Sequence, residues 1–236
     1  MGLSKAITTL KSEFIKKNKI SSHIYEIIPA LTESFFINEH DLDMLHKFAE
    51  SNSIYTNSYE INILDTVCKV YQGDVNNYWL DSIKHDTSYA PFYPVWILSA
   101  YALALESKNL GVQQVIDIGS GDGRIAYCAK IAGLKSHAIE IDENLVRLEN
   151  QISTSTKVDF KPMMADATQF DYTSLELSRP IFFISGLPEV GEMLANNVIP
   201  RIRTIPSLKE DSIFVFTGSH MMRKESRDKS MWGWGK

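Results

Sequence analysis

The sequence predicts an α/β fold, a doubly wound parallel sheet preceded by a helical N-terminal region, and three observations predict it. Val115-Ile116-Asp117-Ile118 is a short apolar run that breaks into glycines at alternate positions, Gly119, Gly121 and Gly123. A second such run, Ser136 to Asp142, follows and ends in carboxylates. Strand and helix patterns then alternate as far as Thr217, the signature of parallel strands joined by crossover helices.

Taken in order, residues 1–88 carry helical spacing. Ile24, Ile27, Ile28, Leu31 and Phe35 fall on one stripe, as do Ile61, Leu64, Val67, Cys68 and Tyr71, and Asn57 with Glu60 has the form of a capping box. Four or five short helices are expected there, the first with a solvated lysine face (Lys5, Lys11, Lys16, Lys17, Lys19). The junction Tyr89-Ala90-Pro91-Phe92-Tyr93-Pro94 breaks the pattern with two prolines and opens the second unit, residues 89–236. Val95 to Leu105 is the most apolar segment but about half the length that crosses a bilayer, so it reads as a core helix.

Val115 to Ile118 then reads as a strand buried on both faces, with a helix from about Arg124 to Ala132 whose free N–H groups face the glycine turn. Glycines at such a turn let the backbone approach a ligand closely. The second strand places Glu140 at its tip, where a carboxylate accepts hydrogen bonds from a ribose diol, while Asp142 is placed to cap the next helix, Glu143 to Gln151. A third strand (Val158 to Met163), a fourth (Ile181 to Ser185), a helix to about Arg203 and a fifth strand (Ile213 to Thr217) complete the series.

Composition narrows the class. The 236 residues, 44% hydrophobic and 22% charged, suit a soluble globular protein with a full core. A net charge of −5 gives no broad basic field, hence no general support for a nucleic-acid substrate. Cys68 and Cys128 sit in apolar contexts read as helical, without spacing for a disulfide framework or a metal site; they read as reduced core residues and no metal is expected. The first twenty residues alternate lysines with Ile, Leu and Phe and lack a signal peptide's continuous apolar stretch, so a cytoplasmic location without membrane attachment is expected.

The turn reads D-x-G-x-G-x-G, its third glycine one residue earlier than in the dinucleotide fingerprint. It resembles the first motif of the class I S-adenosylmethionine-dependent methyltransferases. The resemblance spans about Pro91 to Thr217, and Asp117-Ile118-Gly119-Ser120-Gly121-Asp122-Gly123-Arg124 after an aromatic-proline segment is most similar to archaeal-type protein lysine methyltransferases. It implies a Rossmann-like sheet with S-adenosylmethionine at the carboxyl ends of its strands. The implied cofactor contacts are Asp117, Gly119, Ser120, Gly121 and Gly123 in the turn, Glu140 and Ile141 at the second strand tip, and Asp166 and Ala167 after the third strand, the acid meeting the adenine amino group. Ser185 after the fourth strand and Tyr93 ahead of the core helix complete the set, with Tyr89 and Phe92 beside Tyr93 as further wall residues.

For the methyl acceptor the resemblance says less. Enzymes acting on base or glutamine amino groups often carry Asn/Asp-Pro-Pro-Tyr/Phe where this chain has Ser185-Gly186-Leu187-Pro188, which puts that substrate class in doubt; the resemblance to the lysine methyltransferases, and to small-molecule methyltransferases with comparable helical lids, implies a protein lysine or a small molecule as acceptor. Alignment is the main catalytic requirement, so no base is obligatory; Glu189 is the candidate to take a lysine proton. The N-terminal region is expected to fold over the acceptor pocket, leaving a separable core. The family's closing hairpin is missing or shortened in the stretch from Ser219 to Lys236, which ends Met231-Trp232-Gly233-Trp234-Gly235-Lys236, and an uncovered sheet edge allows a homodimer. Two other readings stay open: a nicotinamide-dependent oxidoreductase, against which the glycine spacing and Asp117 stand, and a binding subunit without catalysis.

Overall fold

The structure, a computed structural model, describes residues 2–18, 23–32, 35, 37–74, 94–187 and 190–218. Tyr89, Phe92, Tyr93, Pro188, Glu189 and the stretch from Ser219 onward lie outside the described residues.

The C-terminal half is the expected parallel sheet. Strands β4 (Gln114–Ile118), β5 (Lys135–Glu140), β6 (Pro162–Met164), β7 (Pro180–Leu187) and β8 (Ile213–Gly218) stand in the order β6-β5-β4-β7-β8, every neighbouring pair parallel. The chain therefore starts in the middle of the sheet, runs out through β5 to β6, and returns past its start to β7 and β8. That reversal opens a crevice at the carboxyl end of β4, between β4 and β7, where ligands of such sheets bind. Every residue of β4 is buried, as its uninterrupted apolar run requires.

Alternation along the strands feeds two cores. Val115, Ala138, Ile181 and Phe183 face one, with helices α3 (Ile97–Asn109), α4 (Arg124–Ile131) and α5 (Glu143–Thr156); Ile116, Ile118, Ile139, Phe182 and Ile184 face the other, covered by α6 (Val190–Arg203) through Ala195, Val198, Ile199 and Ile202. Asp142 caps α5 as expected, its Oδ1 accepting from the N–H groups of Asn144 and Leu145. Among the described residues no helix is long and apolar enough to cross a membrane.

The N-terminal region corrects the sequence reading. Its described residues hold two α-helices, α1 (Leu3–Lys17) and α2 (Glu39–Ser51), and an antiparallel sheet of β1 (His23–Pro29), β2 (Tyr55–Ile63) and β3 (Thr66–Asp74) in the order β1-β3-β2. The stripe from Ile24 is a strand: Ile24, Glu26, Ile27 and Ile28 are all buried, so no alternation shows and the run fits helical spacing by accident. The stripe from Ile61 is a hairpin folded at Leu64-Asp65, whose φ values of 49° and 61° are those of a two-residue primed turn. Leucine is a poor residue for that conformation, which hid the turn, and Leu31 and Leu64 end up exposed. Asn57 and Glu60 lie on β2; the residue that caps a helix here is Asn38, whose side chain accepts from the Asp41 N–H. Cys68 sits on β3 rather than a helix, buried and free like Cys128.

This region shares its core with the sheet. Ile7, Leu10, Phe14, Ile27 and Phe48 belong to the same buried cluster as Tyr127, Phe160 and Phe183. Tyr127 on α4 donates its hydroxyl to the Met44 carbonyl on α2 at 2.8 Å, and its ring lies 4.9 Å from that of Phe48. A fragment beginning at Ser88 should therefore fail to fold cooperatively, since it exposes Tyr127 and its apolar neighbours. Near-ultraviolet circular dichroism and a thermal melt of the fragment check this, with a sharp unfolding transition as the contrary result.

Candidate cofactor-binding site

The turn after β4 is built on left-handed glycines. Gly119, Gly121 and Gly123 have φ of 65°, 65° and 75°, a region that side-chain-bearing residues enter only at a cost. At Gly123 the absence of a side chain also serves packing: a Cβ there would stand 2.4 Å from the Phe160 ring and 3.0 Å from Glu149 Oε1. The turn is fastened to the next strand, because the N–H groups of Gly119 and Ser120 both donate to the Ile139 carbonyl, at 2.9 and 3.3 Å.

Glu140 occupies the centre of this arrangement. Its Oε2 accepts from the Gly121 N–H at 2.8 Å, and its Oε1 from the N–H groups of Ile141 and Asp142 at 2.8 and 2.9 Å. Burial pushes the carboxyl upward while those three bonds pull the other way, and burial dominates. A carboxylate offers about four acceptor positions, so three bonds leave capacity for another donor. Asp117 is buried under the turn: its Oδ2 accepts from Ala126 N–H at 3.3 Å, and its Oδ1 has no hydrogen-bond partner among the described residues. Desolvation holds it protonated well beyond the usual carboxylate range.

The other expected residues are placed as follows. Ser120 donates its hydroxyl to Glu149 Oε1 at 2.6 Å, behind the turn. Ile141 is half-buried beside the tip of β5. The loop after β6 is drawn to that tip by a bond from Ala165 N–H to the Glu140 carbonyl, 2.9 Å. Within it Asp166 is exposed and caps its own turn, accepting from the Thr168 N–H and hydroxyl, while Ala167 is buried. Ser185 lies across β4 on β7, its hydroxyl accepting from Thr217 on β8 at 2.9 Å. The expected residues that are described thus gather at the carboxyl edge of the sheet; Tyr93 and Glu189 lie outside the described residues.

Four residues that hold this edge together were not foreseen: Arg124, Asp122, Glu149 and Glu26. Arg124 is 3% exposed, and its five N–H donors each have an acceptor. Nε and Nη2 grip the two oxygens of Asp122, Nη2 also reaches the Tyr55 hydroxyl at 3.2 Å, and Nη1 meets Glu26 Oε2 at 2.9 Å and the Val95 carbonyl. The same Glu26 oxygen accepts from Ile97 N–H at the start of α3, and Asn52, just past α2, donates to Asp122 Oδ2 at 2.8 Å. Signals did exist in the sequence. A basic residue in the first turn of a helix opposes the helix dipole, which marks Arg124 as needed for something else. Glu149 falls on the stripe Leu145, Leu148, Ile152 that faces the core, and Glu26 interrupts an apolar run.

Two carboxyl groups, those of Asp122 and Glu26, share this one guanidinium, and burial pushes Glu26 up to about 7. Glu149, buried with its second oxygen unpartnered among the described residues, is raised well above its ordinary value by desolvation.

No family model and no curated protein matches the chain. Similar solved structures include the PH0226 protein of Pyrococcus horikoshii OT3 (16% identity, 55% of this chain and 60% of that one, TM-score 0.42). The CcbJ methyltransferase of Streptomyces caelestis is 17% identical over 50% of this chain and 48% of its own, with a TM-score of 0.41. The tRNA (uracil-54, C5)-methyltransferase of Pyrococcus abyssi, in complex with S-adenosyl-L-homocysteine, is 13% identical over 61% and 35%, again at 0.41. The chain spans less than two thirds of the length of each of these three. At TM-scores this low the likenesses bear on neither cofactor nor acceptor.

Two outcomes follow from the geometry. Gly123→Ala meets both an unfavourable φ and the Phe160 ring, and should lower unfolding free energy by roughly 2–4 kcal/mol in a urea titration. Glu26 keeps its proton to about pH 7 in the folded chain, against 4.5 as its ordinary value. Its contribution to stability is therefore full below the unfolded value and is lost as pH rises through about 7. Glu26→Gln removes that loss, so its unfolding free energy relative to the native chain should move upward by roughly 1–3 kcal/mol between pH 5 and 8. Paired urea titrations across that range read the difference; a pH-independent gap contradicts the assignment.

Proposed function

We propose that this chain is an S-adenosylmethionine-dependent methyltransferase acting on a protein lysine or a small molecule. The observation that carries the reading is the D-x-G-x-G-x-G turn, with three left-handed glycines at the tip of the first, central strand of a β6-β5-β4-β7-β8 sheet and a buried carboxylate at the tip of the strand beside it. The residues present fit that cofactor. The turn carries no side chains at its glycines, of which Gly119 is partly exposed, Glu140 keeps acceptor capacity for a ribose hydroxyl, and Ile141 with the Asp166-Ala167 loop is the proposed wall for the adenine.

S-adenosylmethionine, when bound, supplies a methyl group already made electrophilic by its sulfonium. The protein's own work is to seat the cofactor and hold the acceptor in line, an alignment that contributes on the order of 7–11 kcal/mol in favourable cases. Ser185, at the carboxyl end of β7 and bonded to Thr217, borders the crevice where the acceptor would enter. A lysine acceptor has to shed a proton first, and Glu189 is the candidate to receive it.

Isothermal titration with S-adenosylhomocysteine and with NADH tests the cofactor, and transfer of a labelled methyl group to protein or metabolite fractions tests catalysis and names the acceptor. Binding of NADH alone overturns the reading; binding without transfer leaves a non-catalytic subunit. Glu140→Ala should weaken S-adenosylhomocysteine binding by about 1–3 kcal/mol. It should also lower the melting temperature, contrary to an isolated ribose-binding role, because Glu140 holds three backbone N–H groups of the turn and its own loop.

A further inference from the structure

The glycine turn is held from two sides. On one side Glu140, from β5, takes the Gly121 N–H. On the other, both oxygens of Asp122 are taken by Arg124, and one of them also by Asn52. Asn52 is fixed in turn, its Oδ1 accepting from the Ile54 N–H at 3.1 Å. The remaining donors of Arg124 end on Glu26 of β1, Tyr55 of β2 and the Val95 carbonyl. Among the described residues Asp122 thus has no side-chain hydrogen-bond partner from the parallel sheet's own strands; its bonds lead directly through Asn52, or through the Arg124 guanidinium, into the N-terminal region.

We infer that Arg124 is a positioning residue through which the N-terminal antiparallel sheet sets the cofactor affinity of the glycine turn. The inference rests on the reading of that turn as a cofactor site. A buried guanidinium cannot give up its acceptors without strong loss, so when β1 and β2 shift, Arg124 follows them and draws Asp122 with it. The peptide between Gly121 and Gly123 is then re-aimed at the point where the ligand lies against the backbone. Whatever seats the N-terminal sheet also seats the turn, and by reciprocity a ligand on the turn stiffens the sheet.

The test uses the full chain. S-adenosylhomocysteine affinity is measured by titration calorimetry for Glu26→Ala, Glu26→Gln, Tyr55→Phe and Leu208→Ala. The last removes a buried side chain from the core on the far side of the parallel sheet, away from Arg124, and serves as the control for stability alone. Glu26→Ala should bind about tenfold more weakly, and Glu26→Gln, which keeps an acceptor for Arg124 and Ile97, should restore most of that affinity. Leu208→Ala should melt earlier yet bind as the native chain does. Amide hydrogen exchange at residues 119–124, without ligand, is the second measurement: Glu26→Ala and Tyr55→Phe should speed it relative to the native chain and to Leu208→Ala. If Glu26→Ala does not fold, exchange in Tyr55→Phe decides. Unchanged turn exchange overturns the inference, as does unchanged affinity in folded Glu26→Ala. A native chain that fails to bind S-adenosylhomocysteine sinks the methyltransferase reading, while the exchange comparison still judges the mechanical link.

Discussion

A guanidinium enters a protein interior only when each of its N–H groups meets an acceptor, and the arrangement of this molecule follows from how Arg124 meets that condition. Its acceptors come from β1, β2, the lead into α3 and the glycine turn, stretches that no local preference would bring together. The apolar core supplies the bulk of the driving force, but it is tolerant of small slides. A fork of five donors is not, so the ion cluster fixes the register between the two halves of the chain where the core alone would leave it loose.

The same neighbourhood explains the unusual charge state of the turn. Asp117, Glu140 and Glu149 are all raised by burial, and Asp122 alone is gripped at both oxygens by the cation. Burial thus works against negative charge on three of the four acids around the turn. Under the proposed function its ligand carries a positive sulfonium. Such a charge nearby favours the ionised forms and so opposes the upward push of burial on these acids.

How much of this was legible in the sequence depended on whether the deciding contacts were local. The parallel sheet was, because Val115 to Ile118 is a strand in any context that covers both faces, and the glycines after it have few other uses. Asp142 as a cap was equally readable, since its partners lie two and three residues away. The antiparallel sheet was not. Its first strand is buried at Ile24, Glu26, Ile27 and Ile28, which erases alternation, and its hairpin turns on Leu64-Asp65 in place of the glycine that would have announced it. Among the site residues, Glu140 was found for its position at a strand tip, but its three backbone bonds were not, because two of them stay within its own loop and the third crosses to a different strand's turn. Glu149 and Arg124 were visible only as violations, an acid on an apolar stripe and a base at a helix start, and a violation tells that a partner exists without telling where.

The span of the Arg124 cluster also bears on how the chain is made. Glu26 and Arg124 are 98 positions apart, and Asn52 and Asp122 are 70 apart. At about 5–20 residues per second of synthesis, β1 emerges several seconds before its cation exists. During that interval the N-terminal strands carry a carboxylate destined for a dry interior and an apolar face whose cover, α3 to α5, has not been made. The contacts that complete the N-terminal half thus become available only once the glycine turn has been synthesised.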